Sequence, residues 1–194
     1  ASPIPHAPLQ APEYLIEKYR KIIGDEEPYL GNVGYFPTRY PRATYAAMIE
    51  YIDIQVGEIV QQLKDNGIYE NTIIMLTSDN GPTYAGGVDF KYFNSTGVFQ
   101  NDPKRMKGYT YEGGVRVPFI VSWPNKIKSK RVIDDISISY DIFPTITELS
   151  GVNNSNTYPT DGISLYNIFT DKNSSLERDY IYWEFPSYGG QLAA

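Results

Sequence analysis

The sequence contains no cysteine and a single histidine, His6, among 194 residues. Disulfide bonds and thiolate metal sites are therefore excluded, because both need cysteine sulfur. No apolar run reaches the roughly 18 residues that a membrane-spanning helix requires, so we expect no membrane span. The start of the chain lacks the basic and apolar regions of a signal peptide. Prolines at positions 3, 5, 8 and 12 instead indicate that the sequence begins within a loop.

Positive charge is also scarce, since 17 Lys and Arg residues face 23 Asp and Glu residues for a net charge of -6. This balance argues against a nucleic-acid partner, whose phosphates require a basic face. A content of 41% hydrophobic and 21% charged residues is typical of a folded globular protein. The 18 tyrosines combine an apolar ring with a polar hydroxyl, which suits half-buried surfaces and carbohydrate-binding clefts.

Periodic apolar residues and terminal signals predict three helices. The first spans residues 13–23, between Pro12 and Gly24. The second and clearest ends at Asn66-Gly67 and carries an amphipathic stripe of Tyr45, Met48, Ile49, Ile52, Val56, Ile59, Val60 and Leu63. Asp141 predicts the N-cap of a third helix that runs through about Ser150 and stops at Gly151.

Two apolar runs, TIIMLTS (72–78) and VRVPFIVSW (115–123), are typical of strands covered on both faces. Together with the helices they predict an α/β layered domain with a largely parallel sheet flanked by helices. Residues 80–111 are rich in Gly, Asn and Tyr and predict a long functional loop. Residues 180–185 are a short strand candidate, and the charges in residues 126–131 predict a solvated connection.

The stretch MLTSDNGP (75–82) ends the first predicted strand on Asp79, Asn80 and Gly81. An isolated Asn-Gly favours a hairpin turn, but the sequence that follows is a poor second strand. The alternative is a carboxylate and an amide oxygen at a strand end, where α/β proteins bind ligands. Both are hard donors suited to Ca²⁺ or Mg²⁺. Two ligands alone do not complete a calcium site of about six to eight oxygens.

Lys107 lies in a glycine-rich stretch, KRMKGYTYEGGVRVP (104–118). A lysine in a basic loop is most simply solvated, and the alternative is a cation that binds a sulfate or phosphate oxygen. The neighbouring glycines favour the alternative because they permit close backbone approach. His6, in PHAPLQAP, is either incidental or, with an ordinary pKa of about 6.5, an acid that protonates a leaving oxygen.

Six segments, in this order, resemble the sulfatase family of the alkaline-phosphatase-like superfamily. The resemblance extends over nearly the whole chain, and the segments read PHAPLQAP, YAAMIEYIDIQVGEIVQQLKDNG, NTIIMLTSDNGP, KGYTYEGGVRVPFIVSWP, SYDIFPTITELSG and TDGISLYNIF. Within the family the chain is similar to arylsulfatase and N-acetylgalactosamine-6-sulfatase members. The resemblance implies that residues 1–194 are a partial sulfatase catalytic domain whose start and C-terminal subdomain are missing.

The resemblance also implies roles for individual residues. Asp79 and Asn80 match calcium ligands, Lys107 matches the lysine that binds the sulfate group, and His6 matches the histidine that protonates the leaving alcohol. The implied reaction is calcium-dependent hydrolysis of a sulfate ester, with a sulfated carbohydrate or an aryl sulfate as substrate. A secreted, periplasmic or lysosomal location follows from the same resemblance, with the targeting segment outside this chain.

The chain departs from the family in lacking the formylglycine motif, a Cys or Ser followed by x-Pro-x-Arg. The nearest counterpart, SWPNK (122–126), ends in lysine and lies at the end of a predicted strand, where the family has an ordinary Trp-Pro, so we reject Ser122 as the nucleophile. The chain alone is therefore expected to be inactive. Two alternatives stay open: a phosphomonoester or phosphonate-ester hydrolase of the same superfamily, and a non-catalytic sulfatase-derived binding module.

Overall fold

The computed structural model describes residues 2–127, 131–151, 159–171 and 174–194. The chain divides into two compact units: unit 1 consists of Ala1–Gly67, Asn80–Val117 and Phe185–Gln191, and unit 2 of Ile68–Asp79, Pro118–Glu184 and Leu192–Ala194. The α-helices are α1 (Glu13–Ile23), α2 (Pro41–Asp65), α3 (Glu112–Val115), α4 (Ile142–Leu149) and α5 (Tyr166–Thr170). The strands are β1 (Ile74–Thr77), β2 (Phe119–Ser122), β3 (Trp183–Phe185) and β4 (Gln191–Ala193).

The first two predicted helices are confirmed in unit 1. Helix α1 begins after Pro12 and ends at Gly24, and α2 carries Pro41 at its start and ends before Asn66 and Gly67. Gly67 adopts the left-handed conformation expected after a helix, with φ of 68°. The burial of α2 is confined to its first half, which includes Ala43, Tyr45, Ala47 and Met48. The predicted stripe is therefore only partly buried.

The core of unit 1 joins α2 to the two segments that carry His6 and the long loop. It is a cluster of Leu9, Tyr45, Met48 and Val88, against which Ile4, Ala11 and Phe93 also pack. Since Leu9 and Val88 come from opposite sides of α2 in sequence, this cluster holds both irregular segments on the same helix.

Unit 2 contains the β1–β2 sheet, and its strands are antiparallel rather than parallel. The register pairs Met75 with Val121 and Leu76 with Ile120. Met75 and Val121 pack against the core of Leu165, Ile168 and Phe169, whereas the side chains of Leu76 and Ile120 are exposed. The parallel prediction is wrong for this pair, because an apolar run does not fix the direction of a strand's partner. The expectation that both faces are covered is also wrong, since Leu76 and Ile120 are exposed.

Strand boundaries also differ from the prediction. Strand β2 begins at Phe119 rather than residue 115, because Glu112–Val115 form a helical turn and Pro118 follows it. The short strand candidate at residues 180–185 is confirmed as β3, and its partner β4 was not predicted. The long loop is confirmed, since the described residues 80–111 contain only the short 3₁₀ turn Pro103–Arg105 as regular structure.

Asp141 precedes α4 as predicted, but its carboxylate does not cap the helix. It accepts hydrogen bonds from the main-chain N–H groups of Ile138 (2.9 Å) and Ile163 (2.8 Å) and pairs with Arg178 (2.6 Å). The side chain of Asp141 is fully buried. The residue therefore anchors three segments of unit 2 instead of serving the helix alone, and the capping prediction is wrong.

Of the predicted solvated connection at 126–131, residues 128–130 lie outside the described residues. Arg131 is described, and its guanidinium donates to the carbonyl oxygens of Ile168 and Phe169, both at 3.1 Å. These carbonyls lie in the last turn of α5, where a cation is favourable. The solvated interpretation is therefore wrong for Arg131.

None of the described helices has the length and apolar character needed to cross a membrane.

Candidate functional site

A single stretch of unit 1, residues 81–88, contacts both segments that carry the predicted site residues; we call it the connecting segment. At its start the Gly81 N–H donates to the Gly114 carbonyl oxygen at 2.8 Å. The Pro82 carbonyl oxygen accepts from the Lys107 N–H at 3.1 Å. These two main-chain hydrogen bonds fix residues 104–118, which we call the Lys107 loop, beside the residues that directly follow Asn80.

The contact at Gly81 is too close for any other residue. A Cβ on Gly81 would lie 2.1 Å from the Gly113 carbonyl oxygen, and a Cβ on Gly114 would lie 2.1 Å from the Tyr109 carbonyl oxygen. Neither distance is possible between a carbon and an oxygen that are not bonded. The glycines thus permit close approach of the chain to its own backbone, and the close approach to a sulfate or phosphate oxygen stays a prediction.

The later part of the connecting segment contacts the His6 segment. A Cβ on Gly86 would lie 2.4 Å from the Ala7 Cβ and 3.1 Å from the ring of Tyr35. The ring of Tyr35 in turn meets the His6 ring edge to face, with centroids 5.7 Å apart. The connecting segment thus lies against the Lys107 loop at one end and beside His6 at the other.

His6 is exposed, but its ring is oriented by its own loop. The Nδ1 atom lies 2.6 Å from the Ala7 carbonyl oxygen, and the His6 N–H donates to the Pro3 carbonyl oxygen at 2.8 Å. Because a carbonyl oxygen only accepts, Nδ1 must carry the proton in this contact. The neutral ring is then unprotonated at Nε2, so Nε2 gives a proton only when the ring is an imidazolium.

The sulfatase family model matches residues 2–152. This chain belongs to the sulfatase family. Its relatives include a sulfatase of Formosa agariphila, 31% identical over 163 residues that are 77% of this chain and 27% of that protein. An arylsulfatase of Clostridium perfringens is 28% identical over 202 residues, 93% of this chain and 38% of that protein.

Solved structures agree with this family membership. The crystal structure of Ps i-CgsB aligns with 94% of this sulfatase-family chain, and the aligned part is 35% of the Ps i-CgsB chain. The identity is 29% and the TM-score is 0.71. The structure of BT4656 in complex with its substrate D-glucosamine-2-N,6-O-disulfate aligns with 76% of this chain, and the aligned part is 27% of the BT4656 chain. The identity is 25% and the TM-score is 0.57. These similarities support an α/β fold of the alkaline-phosphatase type. The chain spans well under half the length of these relatives.

The predicted calcium ligands are consecutive residues just after β1. Asp79 is exposed and Asn80 is half-buried, and the Asn80 Nδ2 donates to the Gly81 carbonyl oxygen at 2.8 Å, which fixes the amide plane. A carboxylate and an amide oxygen fit calcium by type but not by number. Within the described ranges, no group of three or more His, Cys, Asp or Glu residues is placed to hold a metal ion.

Ser122 is the last residue of β2, where it pairs with Ile74. The rejection of Ser122 as the nucleophile stays a prediction. Lys107 is half-buried, so it is neither fully solvated nor fully enclosed.

Other site residues were missed by the sequence reasoning: Tyr35, Tyr84, Tyr188 and Gln191. The tyrosines had only a compositional signal, and Gln191 had none, because its contacts join distant parts of the chain.

Beside the connecting segment, unit 1 contains a cleft of about 570 Å³. Its lining includes Tyr84, Asp89 and Arg42. Arg42 pairs with Asp89 at 2.8 Å and packs over the ring of Tyr92, 4.4 Å from its centroid. The pair ties the start of α2 to the loop that follows the connecting segment, so it supports the local structure around the site.

Proposed function

We propose that the whole protein is a calcium-dependent sulfatase that hydrolyses sulfate esters of a sulfated carbohydrate or an aryl sulfate. The proposal rests on family membership together with one structural observation. The connecting segment, which directly follows Asn80, contacts the Lys107 loop and the His6 loop within the same unit. The Lys107 loop and the His6 loop therefore both contact the stretch of chain that directly follows Asn80.

Lys107 and His6 would divide the charge chemistry between them. The Lys107 ammonium would bind a sulfate oxygen and neutralise negative charge that develops around sulfur. The His6 ring, with Nδ1 held by the Ala7 carbonyl oxygen, would present Nε2 outward as the acid. As an imidazolium it would protonate the departing alkoxide.

Asp79 and Asn80 would hold the calcium ion together with ligands that this chain does not contain. When bound, the ion would stabilise negative charge on the sulfate group. The nucleophile would also lie outside this chain, because the sequence has neither cysteine nor a complete formylglycine motif. We therefore propose that the 194-residue chain alone does not turn over substrate.

The substrate class and location are the finer parts of the proposal. BT4656 binds a disulfated glucosamine, and the tyrosine-rich composition of this chain suits carbohydrate. The similarity to arylsulfatase and N-acetylgalactosamine-6-sulfatase members stays a prediction. A secreted, periplasmic or lysosomal location is proposed from the family resemblance alone.

An assay of the purified whole protein on an aryl sulfate and the matching aryl phosphate tests the proposal. We expect sulfate release that is lost after chelation and restored by calcium, with slower release of phosphate. Faster hydrolysis of the phosphate would favour the phosphoester-hydrolase alternative. Binding of a sulfated oligosaccharide without hydrolysis of either ester would favour the non-catalytic module.

A further inference from the structure

The turn at residues 185–191, which we call the C-terminal turn, lies on the Lys107 loop within unit 1. The side-chain amide of Gln191 makes two hydrogen bonds there. Its Nε2 donates to the Gly108 carbonyl oxygen at 2.8 Å, and its Oε1 accepts from the Thr110 N–H at 3.1 Å. The amide thus binds the backbone on both sides of Tyr109, as a neighbouring strand would, and fixes residues 108–110.

Tyr188 covers the residue that directly follows Lys107. Gly108 has φ of +91°, and a Cβ placed on it would lie 3.0 Å from the ring of Tyr188. The Tyr188 ring also lies 5.5 Å from the ring of Tyr109 and stacks on Phe185 at 5.9 Å, between centroids. A glycine next to Lys107 would leave the backbone there free to rotate. The ring of Tyr188 packs on Gly108 and limits that rotation.

Tyr84 links the C-terminal turn to the connecting segment. Its hydroxyl lies near those of Tyr188 and Tyr109, and burial, followed by these two hydroxyls, raises the pKa of Tyr84. The Tyr84 hydroxyl therefore stays protonated at neutral pH and beyond. Two further contacts fix the Lys107 loop on either side of this point. The Pro82 carbonyl oxygen accepts from the Lys107 N–H before Gly108, and Gln191 binds the backbone after it.

We propose that Gln191 and Tyr188 are positioning residues that hold the Lys107 ammonium where it binds the sulfate group. The proposal rests on the proposed role of Lys107. Neither residue is required to touch the substrate, since both act through the backbone at Gly108–Thr110. A misplacement of about 1 Å at a reacting centre can cost on the order of 100-fold in rate, so a loosened hinge is expected to be costly.

Two substitutions at Gln191 grade the effect. Gln191→Ala removes both hydrogen bonds. Gln191→Glu keeps an acceptor for the Thr110 N–H but places a carboxylate against the Gly108 carbonyl oxygen. Gln61→Ala is the matched control, because Gln61 is an exposed residue of α2 whose amide bonds only Asp65 in the described contacts. All variants are made in the whole protein.

Three quantities are measured below the unfolding temperature of every variant: kcat and KM on an aryl sulfate, the inhibition constant of inorganic sulfate, and hydrogen exchange of the amides of residues 107–110. For Gln191→Ala we expect faster exchange at Thr110, weaker inhibition by sulfate, and kcat/KM reduced about 10- to 100-fold. Gln191→Glu should lie between Gln191→Ala and wild type.

A merely structural role would lower the unfolding temperature while exchange at residues 107–110 and sulfate inhibition stayed at wild-type values, and that result would overturn the inference. Lys107→Ala separates the inference from the proposed function. If Lys107→Ala is inactive and Gln191→Ala matches wild type, only the inference fails. If Lys107→Ala retains full activity, the role of Lys107 fails. Unchanged exchange at Thr110 in Gln191→Ala overturns the inference even without activity.

Discussion

Gly81 is the residue whose substitution should disturb the candidate site most directly. Its N–H donates to the Gly114 carbonyl oxygen at 2.8 Å. A Cβ at this position would lie 2.1 Å from the Gly113 carbonyl oxygen, 3.0 Å from its carbonyl carbon and 3.1 Å from the Gly114 Cα. All three atoms belong to the backbone, so no side-chain rotation relieves the clash. Gly81→Ala must therefore push the connecting segment away from the Lys107 loop.

The size of the effect follows from these distances. A carbon and a carbonyl oxygen approach to about 3.3 Å, so the backbone must separate by roughly 1 Å. Overpacking of this kind costs about 1–3 kcal/mol, and loss of the Gly81–Gly114 hydrogen bond adds about 1 kcal/mol. We expect the free energy of unfolding to fall by about 2–4 kcal/mol. Since Asn80 and Lys107 flank the contact, kcat/KM should fall about 100-fold.

Urea titration of the whole protein measures the stability change, and steady-state hydrolysis of an aryl sulfate measures the change in activity. Gly57→Ala is the control. Gly57 lies inside α2 and a Cβ there would have nothing within 4 Å, so alanine should stabilise the helix by about 0.5–1 kcal/mol. Equal stability and activity of Gly81→Ala and wild type would refute the close contact between the connecting segment and the Lys107 loop.

Two further substitutions test the packing around the site and in unit 2. Burial opposes ionisation of Asp89, but a main-chain N–H and the Arg42 guanidinium outweigh it and hold the Asp89 pKa below its usual range. Asp89→Asn should therefore lower the free energy of unfolding by up to about 1 kcal/mol at neutral pH. In urea titrations this difference from wild type should vanish as the pH falls through the folded-state pKa of Asp89. A difference that persists in strong acid would contradict this. Arg178→Ala should cost about 3–5 kcal/mol by leaving the buried Asp141 carboxylate unpaired, and an unchanged urea midpoint would contradict it.

The ends of α1 and α2 could be predicted from the sequence because proline and glycine act on their own backbone. Pro12, Gly24 and Gly67 impose their conformations whatever lies around them. Strand direction could not be predicted, since the apolar residues of β1 and β2 are compatible with either pairing. The sequence marked the glycines of the Lys107 loop, but not the backbone that packs on them.

Gln191 and Asp141 show why the rest of the site could not be predicted. Gln191 binds the Thr110 N–H across 81 positions of the chain. Asp141 reaches Arg178 across 37 positions, although local signals alone predict a helix cap. Such contacts are set by tertiary packing, and a single sequence carries no local pattern for them. Family resemblance located Asp79, Asn80, Lys107 and His6, whose roles stay predictions.

The central claim is that Lys107 binds the sulfate group. Comparison of Lys107→Ala with Lys104→Ala in the whole protein tests it most directly, because Lys104 is an exposed lysine of the same loop. The measurement is kcat/KM for an aryl sulfate in the presence of calcium. We predict a loss of about 100- to 1,000-fold for Lys107→Ala and wild-type activity for Lys104→Ala. Equal activity of the two variants would contradict the claim.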